Sequence, residues 1–248
     1  MTDLISNVKR YSGLDATAVA DARLVLCDLD GCLMAEGRSF FDTANFVEAC
    51  GERLWIISNC SDTTALIMSQ RLAGLGINVP ADRILLAGEI TLNYLAETEK
   101  VRRVQLFADV SLIEHAKTLG LDLTSDSPDA FLMCRDPGVT VDTMGQILTG
   151  VAKDIPLWVA NEDLSHPGHD NQPIAETGAL LAALLAIRPD LLWRSLGKPG
   201  PTMLRMALAR SGLNARDAVF VGDNILTDGR AASALGIPFI HIQRRGGQ

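Results

Sequence analysis

The sequence contains no CxxC pair, and its five cysteines (Cys27, Cys32, Cys50, Cys60 and Cys134) are an odd number. The first absence speaks against a structural zinc site. The odd count argues for free thiols in a reducing compartment. Residues 1–13 lack an apolar core of signal-peptide length, which predicts a cytoplasmic address. The longest clean apolar run covers only 178–187, between Thr177 and Arg188. A bilayer span needs about 20 such residues. The run predicts a buried helix and no membrane partner, although the mean hydropathy is +0.18. No long run of like charge is present, and Arg244-Arg245 reads as a solvated tail. The net charge of −8 predicts no nucleic-acid partner, because such a field repels polyanions. Repeats, low-complexity segments and Pro/Gly/Ser linkers are also missing. Any second domain is therefore expected to be inserted into the first rather than appended to it.

What is present is a chain of 248 residues, 48% hydrophobic and 21% charged. That composition excludes disorder, because the apolar surface suffices to offset ordering entropy. The length allows about one to two domains. Short β-branched runs at 24–28, 54–58, 104–108, 131–134, 157–160, 219–222 and 238–242 predict strands. Helical periodicity at 63–73, 112–119, 143–153 and 203–211 predicts helices between them. Ser61-Asp62 and Asp142 are good helix N-cap types, and Gly74, Gly120, Gly212 and Gly236 follow helices. This alternation predicts an α/β fold with a mostly parallel sheet covered on both faces. Trp55, Trp158 and Trp193 read as core, and His115 and His241 as structural.

Four segments carry chemistry. A buried strand runs into Asp28-Leu29-Asp30-Gly31. Two carboxylates at one strand tip repel each other and call for a cation or a proton, and ligands of open α/β sheets bind at such tips. A second strand ends in Ser58-Asn59, whose hydroxyl and amide can donate to phosphate oxygens. Lys198 sits in Gly197-Lys198-Pro199-Gly200 just before a helix and offers a point charge. A last strand runs into Gly222-Asp223-Asn224, with Asp228 five residues after Asp223. Singly, several of these read as polar turns.

Together and in this order they resemble the four motifs of the haloacid dehalogenase superfamily, over a span of about 24–236. Trp158-Val159-Ala160-Asn161-Glu162-Asp163, Glu176-Thr177-Gly178-Ala179-Leu180 and Gly197-Lys198-Pro199 resemble its class IIA, the NagD-like and 4-nitrophenylphosphatase-like phosphatases. The resemblance implies a Rossmann-like core, 1–98 and 192–248, with an α/β cap inserted at 99–191. It implies hydrolysis of a small phosphorylated metabolite through an aspartyl-phosphate. Nucleotides, sugar phosphates, phosphoglycolate and pyridoxal phosphate are the substrate classes. Asp28 would be the nucleophile and Asp30 the general acid and base. Dehalogenase members lack that second acid. Mg²⁺ would be held by the Asp28 and Asp223 carboxylates and the Asp30 backbone carbonyl, with Asp228 behind them. Ser58, Asn59 and Lys198 would hold the phosphoryl oxygens. A cation is needed in any case: like charges ~4 Å apart cost about 4 kcal/mol at an effective dielectric near 20.

Cys32 stands where many members carry Thr or Val, and reads as a small packed thiol. Cys60 replaces a common Asn. Between Asn161 and Asp170, the segment His166-Pro167-Gly168-His169-Asp170 is a Pro/Gly loop rather than a helix face. It is expected to reach over the site, with Asn161 or His166 touching substrate, rather than to hold a metal with Asp163. Two other readings stand beside the enzyme. A phosphoacceptor module also uses a strand-end Asp, a Lys and Mg²⁺, but the 170 residues between Asp28 and Lys198 exceed a compact receiver. A non-catalytic phosphate-ligand-binding relative would be expected to have lost one of the acids. Pairing of the chain into a homodimer stays open.

Overall fold

The computed structural model describes residues 9–168 and 172–244. The chain enters through β1 (Lys9–Tyr11) and β2 (Leu24–Cys27) and then forms a short hairpin, β3 (Met34–Ala35) and β4 (Arg38–Ser39). Helix α1 (Thr43–Cys50) leads to β5 (Leu54–Ser58), and α2 (Ala65–Gly74) to β6 (Ile84–Leu86) and α3 (Ala87–Glu97). A second unit follows: β7 (Val104–Phe107), α4 (Val110–Thr118), β8 (Ala130–Met133), α5 (Val141–Val151) and β9 (Leu157–Val159). A hairpin, β10 (Ser165–Pro167) and β11 (Pro173–Ala175), leads to α6 (Thr177–Ile187) and β12 (Trp193–Arg194). The chain returns through α7 (Thr202–Ser211), β13 (Ala218–Gly222), α8 (Arg230–Ser233) and β14 (Phe239–Ile242).

The first sheet has the order β1-β14-β13-β2-β5-β6 and is parallel throughout. Its central strands β13, β2 and β5 are buried at every position because both faces are covered. Val25, Cys27, Ile56 and Val221 point into one buried cluster. Leu24, Leu26, Trp55, Ile57 and Phe220 point into the other, against α7. The inserted unit has its own parallel sheet, β12-β9-β8-β7. Leu92 and Leu95 of α3 pack with its Val104, Leu132 and Trp158, so α3 joins the two layers.

The expected α/β architecture is present, with differences of detail. β12 pairs with β9, so the sheet of the inserted unit runs past the boundary expected at 191. The strand 84–86, the helix 87–97 and strand β1 carry no turn signal strong enough to separate them in the sequence. Helix α2 is capped by Thr64, whose Oγ1 accepts from Ile67 N, rather than by Ser61-Asp62. Thr140, not Asp142, caps α5. Helix α6 is apolar all round, yet only the face with Leu181 and Leu184 is buried, and Ile187 is exposed. Trp55 and Trp158 are core, whereas Trp193 is half-buried and donates its Nε1–H to Glu162. Among the described residues, no helix is long and apolar enough to cross a membrane.

Candidate active site

Three neighbouring strands, β13, β2 and β5, end at one edge of the core sheet. Their tips deliver Asp223, Asp28 and Ser58, and the loop before α7 brings in Lys198. Asp28 and Asp30 share the tip of β2, where Gly31 takes φ +81° and lets the chain turn. A Cβ on Gly31 would lie 2.0 Å from Asp223 Oδ2. Only glycine lets the two acidic loops approach this closely.

Lys198 is 2% exposed. Its Nζ donates to Asp28 Oδ1 at 2.6 Å and to the Ile57 carbonyl at 3.1 Å, and pairs with Asp228 Oδ1 at 2.7 Å. Burial alone would push the ammonium pKa down. Asp228 and Asp28 more than reverse this, so the net shift is upward and Lys198 stays charged. Asp228 is fully buried because a π-helical turn, Ile225–Gly229, folds it back under the strand tip. Its Oδ2 accepts from Asn224 N at 3.2 Å.

One lysine does not balance the acids around it. Burial, then repulsion from Asp28 and Asp228, pushes the Asp223 carboxyl up to about 8. Burial also raises Asp28, against the pull of Lys198, and raises Asp30 and Asp228, the last to about 6. The Asp28, Asp223 and Cys32 donor atoms lie within 4.8 Å of one another. Two crowded carboxylates that resist ionisation together, with Gly31 leaving room for Asp223 beside the turn after Asp28, suit a hard divalent cation. Cys32 is fully buried at this spot, and burial holds its thiol well above the ordinary range. It is a packed neutral thiol, as its position suggested.

Two expected contacts sit differently. The Asn59 side chain is already committed. Its Oδ1 accepts from Lys198 N at 2.7 Å, and its Nδ2 donates to Lys198 O at 3.0 Å and to Asp163 Oδ2 at 2.9 Å. Its side chain straps the lysine loop in place, while the residue also lines the cavity beside Ser58. Asn161 is 1% exposed. Its Nδ2 donates to Asn59 O and Ser61 Oγ at 2.8 and 3.1 Å. It seals the seam between the two units and does not reach the cavity, because a buried amide takes the partners closest to it.

A cavity of about 90 Å³ lies between the strand tips and the inserted unit, walled by Asp28, Asp30, Ser58, Lys198 and Asp223 on one side. Asp163, Ser165, His166 and Glu176 wall the other. His166 thus reaches the site as expected, whereas His169 and Asp170 lie outside the described residues. Sequence reasoning did not single out Ser165, Glu176, Asn224 or Thr227 as cavity residues. Glu176-Thr177-Gly178 entered the sequence analysis only as part of the class IIA resemblance. A Cβ on Gly178 would lie 2.2 Å from Glu162 O, so this turn packs directly on the Asn161–Asp163 segment. His241, read as structural, holds the Asp223 carbonyl through Nε2 at 2.9 Å. His115 bonds Asn93 on the outside of the molecule. A larger hollow of about 310 Å³ beside Ile237 and Phe239 has no titratable group in its lining.

Comparison with known proteins agrees with this geometry. Residues 25–122 match the haloacid dehalogenase-like hydrolase family, and 195–244 match a HAD-hydrolase-like family. Ribonucleotide monophosphatase NagD of Escherichia coli is 25% identical over 88% of this chain and 86% of its own. The solved structure of NagD superposes with a TM-score of 0.78, covering 89% of this chain and 87% of NagD at 25% identity. The p-nitrophenyl phosphatase of Archaeoglobus fulgidus gives a TM-score of 0.80 at 26% identity, covering 88% of this chain and 85% of that one. A glycerol phosphate phosphatase from Mycobacterium tuberculosis, solved with magnesium, has a TM-score of 0.78 at 22% identity, over 88% and 67% of the two chains. With its acids on adjacent strand tips and its lysine strapped between them, the chain belongs to the haloacid dehalogenase superfamily, among the NagD-like phosphatases of class IIA.

Proposed function

We propose that this protein hydrolyses a small phosphate monoester in two steps through Asp28, with a divalent cation of the Mg²⁺ kind. The observation that carries the reading is Asp28 at the tip of β2, 2.6 Å from a buried lysine and beside Asp30. An Asp28 carboxylate oxygen attacks phosphorus as the phosphorus–oxygen bond to the alcohol breaks. Asp30, whose carboxyl burial raises, donates its proton to the departing oxygen. Water then attacks the aspartyl-phosphate, Asp30 takes a proton from it, and Asp28 is regenerated with release of phosphate. Lys198 neutralises a phosphoryl oxygen throughout. Asn59 holds the lysine loop, and Ser58 offers its hydroxyl at the cavity wall. The Asp28 and Asp223 carboxylates and the Asp30 carbonyl would hold the cation, which supplies positive charge against the oxygens of the phosphoryl group.

The polar walls suit a small metabolite. Relatives named for ribonucleotides, glycerol phosphate and nitrophenyl phosphate span several classes of alcohol. The test is phosphate release from 4-nitrophenyl phosphate and a panel of metabolite phosphates, with Mg²⁺ and with EDTA. Release that needs Mg²⁺ and is absent in Asp28→Asn supports the reading. Release by Asp28→Asn at near wild-type rate overturns it.

A further inference from the structure

The cap side of the cavity holds a carboxylate that the reaction does not use. Glu176 ends the loop from β11 and begins α6. Its Oε1 is hydrogen-bonded to His166 Nδ1 at 2.7 Å and forms an ion pair, without hydrogen-bond geometry, with Arg135 Nε at 3.3 Å. Arg135 also donates through Nη1 to Asp62 Oδ2 at 2.9 Å, on the core loop after β5. The carboxylate is thereby fixed from both units. Its other oxygen, Oε2, is buried and has no hydrogen-bond partner among the described residues. A buried acceptor without a donor is unusual in a folded protein, and the residue that carries it lines the substrate cavity. Next to it, His166 spends Nδ1 on Glu176, and Nε2 has no hydrogen bond among the described residues.

A leaving group placed here meets an acceptor from Glu176 and a ring nitrogen from His166. A hydroxyl can serve both, since it donates once and accepts as well. The aromatic alcohols fare worse: no Phe, Tyr or Trp lines this cavity. A carboxylate fares worst, because Glu176 and Asp163 both face it, and like charges repel most where water is excluded.

Resting on the phosphatase reading, we propose that Glu176 is the specificity-determining residue: its free oxygen accepts a hydrogen bond from a hydroxyl on the carbon chain of a short polyol phosphate, and its charge excludes carboxylated analogues. Arg135 and His166 are the positioning residues that aim it.

A matched pair tests this. Glycerol 1-phosphate and 3-phosphoglycerate differ in one terminal group, a hydroxymethyl against a carboxylate. The wild type is expected to favour the first by at least tenfold in kcat/KM. Glu176→Gln removes the charge and is expected to shrink that ratio about tenfold. Glu176→Asp keeps the charge one methylene further back; it is expected to raise KM for glycerol 1-phosphate at least fivefold while the ratio stays above about five. Circular dichroism reports whether each variant folds. If Glu176→Gln does not fold, Glu176→Asp decides, and an unchanged KM overturns the proposal. A wild-type ratio near one, or a ratio unchanged in Glu176→Gln, also overturns it. Wild-type hydrolysis of 4-nitrophenyl phosphate separates the two failures. With that hydrolysis present, a flat ratio sinks the role of Glu176 alone. With no monoester hydrolysed at all, the phosphatase reading and this proposal fall together.

Discussion

The two walls of the cavity are built on the same kind of parallel sheet but differ in how they hold charge. On the core wall the charges are sealed: Lys198 is 2% exposed and Asp228 fully buried. They are fixed at strand tips by backbone register, and the acids outnumber the lysine. On the cap wall the charges are less sealed, with side-chain exposures of 27% for His166, 33% for Arg135 and 11% for Glu176. They are fixed by one another, through Glu176 and Asp62. Sealed charges cannot relax when one is removed, whereas the cap set can be rehydrated. The core wall therefore suits chemistry, where positions must not move. The cap wall suits discrimination between alcohols, where modest energies decide.

This contrast predicts a graded series of effects. The largest belongs to Asp28→Asn, expected to lower phosphate release at least about 1,000-fold; each ~1.4 kcal/mol of lost transition-state stabilisation is tenfold. Steady-state rates in saturating Mg²⁺ measure it. Next comes Asn59→Ala. Loss of three hydrogen bonds around the Lys198 backbone and Asp163 lets the lysine drift. We expect kcat/KM to fall about 10- to 100-fold with the circular dichroism spectrum intact. A change below threefold would mean that burial alone positions Lys198.

Asn161→Ala tests the seam instead of the chemistry. It leaves Ser61 Oγ and the Asn59 carbonyl without their shared donor. A cost of about 1–3 kcal/mol in urea unfolding is expected, with a smaller loss of activity than Asn59→Ala. Equal losses of activity would show that the two walls are not independent.

The smallest effect is a slope. The folded-state carboxyls of Asp223 and Asp228 lie at about 8 and about 6, against an ordinary value of 3.8. The native state thus binds more protons than the unfolded chain between pH about 4 and 8, so the stability of metal-free protein falls as pH rises through that window. Asp223→Asn removes the larger contributor. Melting temperature against pH in EDTA should flatten in this variant, and its midpoint at pH 8 should rise by about 2–4 °C, the shift expected for roughly 1 kcal/mol in a chain of this size. Mg²⁺ should raise the wild-type midpoint more than the variant's. A steeper slope in Asp223→Asn would contradict the crowding of acids described above.

How legible these features were in sequence follows the same division. Asp28, Asp30, Ser58 and Asp223 were found because they end or follow runs of apolar residues, and parallel strands must align their carboxyl ends; Lys198 and Asp228 gained their place through the resemblance to the four motifs of the superfamily. The strand and helix runs were found where β-branched residues cluster or where glycine closes a helix. The missed elements failed for local reasons. Ile84–Leu86 passes into Ala87–Glu97 with no polar turn between them. β12 is a strand of two residues recruited by β9. Asn59 was read as a phosphate ligand because an amide at a strand tip can donate to phosphate oxygens; the further partners of its side chain depend on what the fold brings near, here a lysine loop 139 residues away.

The resemblance to the superfamily supplied the inserted unit between the second and third motifs and the role of Lys198; from the order of its residues alone this chain specifies a parallel α/β core and the acids at its strand tips. Those follow from short-range rules: apolar runs, turn residues, and the direction of a strand. Tertiary structure decided that the Asn59 side chain braces the lysine loop, that Asn161 seals a seam, and that Glu176 stands opposite the acids with one oxygen unpartnered. These depend on distances between segments roughly 70 to 140 residues apart, and only packing sets such distances.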